Sequence, residues 1–400
     1  MMDDKVILFS NKKDCCGCGA CANICSKNAI SMQEDDLGFL YPIINHNLCI
    51  KCKACKRVCA FQNKIEQNEP RIVYASSRKN NDKILKSASG GIFSVIAENI
   101  VKNGGIVYGA ALKIENNHAI VKHVKATSEN ELEALRGSKY VQSDLGNIFK
   151  EIKEKLLEGS NVLFSGTPCQ VASLKMYLKK DYKNLCTIDI ICHGVPNQRF
   201  LSEYLSLYSK RIKKNIIDLK FRDKTNGWGL TSNFTVIDKS GATNIYINSD
   251  KQTYYTMFLD SEIYRESCYS CKYASKNRPG DITIGDYWGI EEEHSNYLIQ
   301  NGGKLSAKNG ISLVIINNEK GENLYNQIIE DTNSYISDFS KAAKHNHQLL
   351  SPSKVGKHRN TIIKIYTKFG YNLVDRYYML LIIKRKVIFK IKRLLKSQCH

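Results

Sequence analysis

Between residues 71 and 317 short apolar runs alternate with polar breaks marked by glycine. Ile92, Phe93, Val95, Ile96, Ile100 and Val101 recur at helical spacing and predict an amphipathic helix, ended by Asn103-Gly104-Gly105. Residues 71–76 read as a strand, and 106–114 and 120–125 as paired strands around the turn Asn116-Asn117. Residues 129–135 and 145–157 read as helices. The apolar stretch NVLFS, 161–165, enters the loop Gly166-Thr167-Pro168-Cys169 and a helix over 170–178. Residues 185–192 form another apolar strand, followed by His193-Gly194-Val195-Pro196 and a helix from 198 to about 210. Strand, loop and helix in alternation predict an α/β layer with parallel strands. From 216 to 247 the pattern turns to strand-like pieces with polar turns. Strands at 281–285 and, as the last one, 311–317 complete the body, with the loop Asp286-Tyr287-Trp288-Gly289 between them.

Both ends differ from this middle. The first 65 residues are dominated by cysteine, with small strands expected at 29–32 and 38–41. A charged linker, 62–69, ends at Pro70. From Lys354 to His400 there are 13 Lys/Arg against one acid, Asp375, or +12 of the net +20. The rest of the chain therefore carries about +8, and a nucleic-acid-binding body is a poor fit. The seven apolar residues 377–383 are too few to span a membrane. Beyond them, KRKVIFKIKRLLK places Val387, Ile388, Ile391, Leu394 and Leu395 on one face with Lys/Arg opposite. That pattern suits either an interfacial helix on anionic lipid or a terminal helix packed on the body. The expected domains are 1–65, 71–350 (divided near 160/161) and a basic helical tail, 354–400. The N-terminus, with Asp3 and Asp4 and no apolar core, does not read as a signal peptide, so a reducing, cytoplasmic setting is expected, peripheral at the inner membrane face if the tail binds lipid.

The candidate chemistry lies in the 15 cysteines. Cys15, Cys18, Cys21, Cys25 and Cys49, Cys52, Cys55, Cys59 each run C-x2-C-x2-C-x3-C. This is the ferredoxin run, in which three thiolates of one run and the fourth of the other hold each [4Fe–4S] cluster. The expected sets are Cys15, Cys18, Cys21 with Cys59, and Cys49, Cys52, Cys55 with Cys25. A zinc ribbon uses paired CxxC units instead. Ser26 and Ala60 stand where ferredoxins place proline, and Cys16 is spare. Cys169, Cys192 and the pair Cys268/Cys271 end strands or loops and form a second group. A third cluster, a structural zinc, or buried apolar thiols at 169 and 192 all fit the spacing. Ser89-Gly90-Gly91 and Gly166-Thr167 precede helices as candidate anion cradles, although most such glycines are turns. Arg136-Gly137-Ser138-Lys139-Tyr140 adds cations and a ring. Trp228 and Trp288 sit in glycine-flanked loops, suited to stacking on a ring system or to the core. His193 is a candidate proton donor that reads equally as structural.

The motifs SASGGIFSVIAENIVKNGGIVYGA, LRGSKYVQSDLG, VLFSGTPCQVASLKMYL, IDIICHGVP, FRDK, SCYSCKYA and DITIGDYWGI, in this order, resemble the coenzyme F420 hydrogenase/dehydrogenase beta-subunit family. The resemblance runs from about Cys15 to Gly289 and leaves out the tail. It implies an α+β chain: a two-cluster ferredoxin-like domain, then an α/β body that binds FAD. It favours Cys169, Cys192, Cys268 and Cys271 as ligands of a flavin-proximal cluster. It also points to Ser89, Gly90, Gly91, Ser138, Lys139, Tyr140, Gly166 and Thr167 as the flavin pocket. The implied function is an oxidoreductase relaying electrons from a ferredoxin-like donor to a two-electron organic acceptor, coenzyme F420 or a substrate of polysaccharide assembly. A non-catalytic electron-transfer subunit and an accessory protein of surface-polysaccharide synthesis are the alternatives.

Overall fold

The computed structural model describes residues 5–397, with side chains through Arg393. Asp3, Asp4, Cys399 and the side chains of Leu394 and Leu395 lie outside the described residues. The N-terminal unit is an antiparallel hairpin of β1 (Ile30–Glu34) and β2 (Leu40–Ile44), flanked by the two cysteine runs. The body contributes β3 (Ile72–Arg78), β4 (Ile106–Glu115), β5 (His118–Ala126), β6 (Val162–Gly166) and β7 (Leu185–Ile190). A separate antiparallel sheet follows, made of β8 (Asn215–Lys220), β9 (Thr231–Asp238) and β10 (Gly241–Asn248). The chain then returns with β11 (Ile282–Asp286), β12 (Ser312–Ile316) and β13 (Thr332–Ser337).

The main sheet has eight strands in the order β13-β3-β12-β11-β7-β6-β4-β5. Only its centre is parallel: β4 pairs β6, β6 pairs β7, and β7 pairs β11 in that sense. Both margins are antiparallel, so the expected parallel layer is the middle of a mixed sheet. Central strands read as continuous apolar runs because helices cover both faces, and Leu163, Phe164, Ile188, Ile282 and Val314 are fully buried. At the β4–β5 turn Asn116 and Asn117 take φ of 50° and 63°, the left-handed pair that a two-residue hairpin requires. The last strand is β13, beyond the expected final one. Its sequence, TNSYIS, alternates weakly because it is an edge strand with Ile336 turned outward.

The tail is not separate from the body throughout. Helices Arg359–Phe369 and Tyr371–Ser397 pack Ile362, Tyr366, Tyr371, Val374, Tyr378 and Ile382 into the same core as Phe200, Tyr204 and Tyr254. Fully buried Asp375 accepts hydrogen bonds from Arg211 and Thr253. Deleting a buried ring of this kind costs about 3–5 kcal/mol, so the first half of the last helix is structural. No helix among the described residues is long and apolar enough to cross a membrane.

The N-terminal unit is docked by polar contacts to fixed points on the body. Arg265, with no exposed surface, donates to the carbonyls of Cys15 (3.2 Å) and Leu40 and to Gln142 Oε1 (3.0 Å), while its guanidinium lies 4.4 Å from the Tyr41 ring centre. Gly17, at φ 67°, has to be glycine because a Cβ there would run into that guanidinium. Arg199 reaches Glu34 and the Asp35 carbonyl, and Tyr273 reaches the Ala60 carbonyl. Hydrogen bonds to a charged donor contribute about 1.5–3 kcal/mol each. Arg265→Met is therefore expected to speed limited proteolysis within residues 62–70 by at least about tenfold, because cleavage follows the undocked population. An unchanged rate would show that the other contacts suffice.

Candidate functional site

The two N-terminal cysteine runs fold alike. Gly17 and Gly19 of the first and Lys51 and Lys53 of the second all take positive φ, 67°, 70°, 57° and 58°. Short helices follow at the same offset, Ala20–Asn23 and Ala54–Arg57. The repeated left-handed residues give the two runs the same local curl. Cys15, Cys18, Cys21 and Cys59 form one electrostatic neighbourhood: burial raises the Cys21 thiol, and Cys18, Cys15 and Cys59 raise it further. Burial also pushes Cys15 up to about 11, against the pull of Arg265. Cys25, Cys49, Cys52 and Cys55 line a small cavity of about 30 Å³, otherwise walled in part by Val6, Ile30, Ile44 and Ile50. Cys25 Sγ accepts a hydrogen bond from the Ala29 N–H at 3.3 Å.

In the body, three segments bring four thiols together. Cys169 opens helix Pro168–Leu178, Cys192 follows β7, and Cys268 and Cys271 lie in the turn around 266–271. Burial raises Cys192, and neighbouring Cys268 and Cys271 raise it further; burial and then Cys271 push Cys268 up to about 12. Cys169 neighbours Cys271 and Cys192, and its Sγ lies 3.2 Å from Thr167 Oγ1. Cys16 is fully buried between Cys18 and Cys169, so the spare cysteine stands where the first set meets the body set.

All 14 described cysteines are free, and no three of their sulfurs lie within 4.8 Å of one another. A tetrahedral zinc, with Zn–S of about 2.3 Å, holds its sulfurs roughly 3.8 Å apart. The thiols are thus spaced too widely for one tetrahedral zinc and leave the wider spacing that a cluster needs. Arg265 adds a second test of fit. It is wholly buried beside Cys15 and pairs with no carboxylate among the described residues, only with carbonyls and rings. A buried cation left without counter-charge is costly, and an anionic four-thiolate cluster supplies one.

The body set borders a cavity of about 270 Å³ at the carboxyl ends of β6, β7 and β11. This is just under the roughly 300–1,000 Å³ of an ordinary small-molecule site, and it lies where open α/β sheets bind ligands. Cys169 and Cys192 form part of its wall, with Ser89, Gly91, Ser138, Lys139, Tyr140, Gly166 and Thr167. Gly90 does not line it. A Cβ on Gly90 would strike the backbone of Ser76 and Ser312, so this glycine lets the loop lie against the sheet. Helix Ile92–Lys102 begins at left-handed Gly91 without a side-chain cap, and Ile92, Phe93 and Ser94 of its first turn line the cavity. The amides of that turn suit an anionic group. The second cradle differs, because the Thr167 N–H is already taken by Gln170 Oε1 at 3.0 Å.

Other expected groups have partners within the protein. Lys139 Nζ donates to the carbonyls of Ala134 (3.0 Å) and Arg136 (2.7 Å), and burial lowers it to about 7. Arg136 pairs with Glu98 at 2.6 Å instead of facing a phosphate. Trp228 and Trp288 stack on each other at 4.7 Å, and Trp228 donates to Asp286. His193 borders the cavity, and burial lowers its pKa. Four residues of this region escaped sequence reasoning: His123, Gln142, Ser143 and Gln170. Each is a single polar residue without a spacing pattern, identified only once the strands are assembled. Buried His123 is lowered to about 4; its Nε2–H donates to the Ser165 carbonyl (3.0 Å), and Ser143 Oγ faces its Nδ1 (2.9 Å).

Residues 159–342 match the family model for the C terminus of the coenzyme F420 hydrogenase/dehydrogenase beta subunit. The chain is 22% identical over 334 residues to the F420H2 dehydrogenase F-type subunit of Methanosarcina mazei, covering 79% of this chain and 83% of that protein. Over these residues the chain is similar to the coenzyme F420 hydrogenase/dehydrogenase beta-subunit family. An uncharacterised protein of Methanocaldococcus jannaschii is 23% identical over 360 residues, covering 81% of this chain and 88% of its own length. Among solved structures, a chain of the F420-reducing [NiFe] hydrogenase complex from Methanosarcina barkeri aligns with a TM-score of 0.44 and 16% identity, covering 77% of this chain and 97% of that one. The family match contains Gly166, Thr167 and all four body cysteines, whereas the N-terminal runs and the Ser89–Gly91 loop precede it.

One rim of this cavity hangs on Glu98. Its carboxylate takes both Arg78 nitrogens (2.8 and 2.6 Å), Lys83 (2.8 Å) and Arg136 (2.6 Å), joining β3, helix Ile92–Lys102 and the 136–140 turn. Burial raises its pKa, yet the bonds from Arg78 and Lys83 prevail and hold it at about 2, below the ordinary 4.5. A depressed carboxylate stabilises the fold above pH 4.5 and loses that contribution as pH falls toward 2. Glu98→Gln is expected to cost about 2–3 kcal/mol at pH 7, and the gap to wild type in urea unfolding should narrow steadily below pH 4.5. A gap independent of pH would show that packing, and not charge, is lost.

Proposed function

We propose that this protein is an iron–sulfur flavoprotein oxidoreductase that takes single electrons from a ferredoxin or similar donor and delivers them in pairs to a small organic acceptor. In this reading residues 1–65 are a ferredoxin-type unit with one [4Fe–4S] cluster on Cys15, Cys18, Cys21 and Cys59 and another on Cys25, Cys49, Cys52 and Cys55. The body, 71–350, divided near 160/161, holds a third cluster on Cys169, Cys192, Cys268 and Cys271, and FAD in the adjoining cavity. The observation that carries the reading is the shared wall: Cys169 and Cys192 belong both to the buried thiol set and to the lining of the body cavity. Clusters supply one-electron chemistry and a flavin converts between one- and two-electron chemistry, which is the reason for setting them side by side.

The residues divide the remaining work. The uncapped amides at Ile92, Phe93 and Ser94 receive the anionic part of a dinucleotide. Tyr140, stacked on Phe258 at 4.5 Å, gives the cavity a flat aromatic side. Lys139 titrates near neutrality and shapes the 134–139 turn. His123 stays neutral at pH 7 and serves as a fixed hydrogen-bonding strut. The F420H2 dehydrogenase relative supports coenzyme F420, or a molecule like it, as the acceptor. Being by name one part of an assembly, that relative also favours a second reading, an electron-transfer subunit that docks on a catalytic partner.

Anaerobic purification followed by iron, sulfide and flavin quantitation separates the readings. About twelve iron and one FAD per chain are expected, at four iron per cluster; about eight iron without flavin would select the second reading. Cys271→Ser should lose about four iron while the two N-terminal clusters remain. Full retention of iron would reject the body assignment.

A further inference from the structure

The last helix, Tyr371–Ser397, has two apolar faces, and the body uses one. Tyr371, Val374, Tyr378 and Ile382 enter the core. On the opposite side Leu373, Leu380, Ile383, Val387 and Ile391 follow one another at spacings of seven, three, four and four, and all are exposed, Leu380 by 66% and Ile383 and Ile391 by 50%. The stripe is about 27 Å long at 1.5 Å per residue. Lone exposed apolar residues are ordinary, but a continuous stripe opposite a buried face marks a contact surface.

The charges indicate what covers it. Lys384, Arg385, Lys386, Lys390, Lys392 and Arg393 stand within ten residues, and no acid occurs from Arg376 to Ser397. Arg385 and Lys386 are held against the body by Asp260 and Asp250. Lys384 lies inside the apolar stripe and Lys390 on its margin, where long side chains reach toward headgroups while their stems stay with the apolar surface. A second copy of the same helix would bring these cations together. A coiled-coil partner would need apolar residues at 376 and 390 to complete a heptad seam, and those positions are Arg376 and Lys390.

We propose that the outer face of this helix lies on an anionic lipid surface, with the Leu373–Ile391 stripe at the acyl boundary and the lysines among the headgroups. The helix is rigidly joined to the body through Tyr371–Ile382, so the whole protein is held at that surface in one orientation. This goes beyond the redox reading and is independent of it.

The test is co-sedimentation of the full-length protein with vesicles of phosphatidylcholine alone or with one third phosphatidylglycerol, with iron measured on the same preparation. The expected result is binding to the anionic vesicles only, reversed by high salt. Val387→Glu with Ile391→Glu, both exposed and outside the core, should abolish it at unchanged thermal stability. Lys384→Glu with Lys390→Glu should weaken it by at least about tenfold, since each cation near the surface contributes about that factor or somewhat less. A protein that stays in solution with anionic vesicles at low salt, or glutamate variants that bind like wild type, overturns the proposal. So does a concentration-dependent dimer that the glutamate variants abolish. Because the readout is sedimentation, a preparation without iron or flavin that still binds would leave this proposal standing while removing the redox one.

Discussion

A salt bridge with no exposed surface sets the geometry of the body's thiols. Arg278 donates through Nε (3.1 Å) and Nη2 (2.6 Å) to Asp189 at the end of β7, through Nη2 also to the carbonyl of Ile190, and through Nη1 to the carbonyl of Tyr273. Asp189 also receives Thr283 Oγ1 and the Gly280 N–H. Burying two charges usually costs more than their attraction returns, unless every remaining donor and acceptor is satisfied. Here nearly all are, and a Cβ on Gly280 would collide with Asp189. The consequence is positional. Cys192 lies three residues beyond Asp189 and Cys271 seven before Arg278, so the pair fixes two cysteine-bearing segments that are 79 residues apart in sequence.

Arg265 does the equivalent at the other boundary, with a different chemistry. Among the described residues it meets no carboxylate, only carbonyls, Gln142 and the rings of Phe39 and Tyr41. A body residue thereby puts a permanent positive charge beside the first thiol set, three residues before Cys268 of the body set. Docking and electrostatics are therefore one feature: the contact that seats the N-terminal unit is the contact that neutralises whatever negative charge the unit holds.

Much of this was legible in the residues. The cysteine runs show themselves by spacing, and the strand–loop–helix order around Gly166 and Cys192 shows the central strands because continuous apolar runs survive only where both faces are covered. What stayed hidden lacked periodicity. β13 is a polar edge strand, and its pairing with β3 depends on a partner 254 residues away at Thr332↔Arg78. Asp189, Arg265 and Arg278 are single charges in loops or strand ends, and a charge in a sequence reads as solvated until the fold buries it. The two tryptophans read either as platforms for a ring system or as core, and the structure stacks them on each other. In the last helix the stripe through Val387 and Ile391 was visible, but the core-facing stripe through Tyr371, Tyr378 and Ile382 was not distinguishable from a mixed polar surface until Phe200 and Tyr254 came against it.

Gln142 shows why these parts must be rigid together. Its backbone N–H bonds Pro196 in the Cys192 loop, its Nε2 bonds the Cys16 carbonyl, its Oε1 accepts from Arg265, and its carbonyl accepts from Gln198. The same residue lines the body cavity. One side chain thus ties the N-terminal thiol run, the body thiol loop and the cavity wall into a single hydrogen-bonded unit. In the proposed relay, transfer between buried centres would fall off steeply with separation, so a hinged N-terminal unit would work only part of the time. The buried arginines, Gln142 and the shared wall at Cys169 and Cys192 remove the hinge, and that rigidity is what an arrangement of thiol sets in series requires.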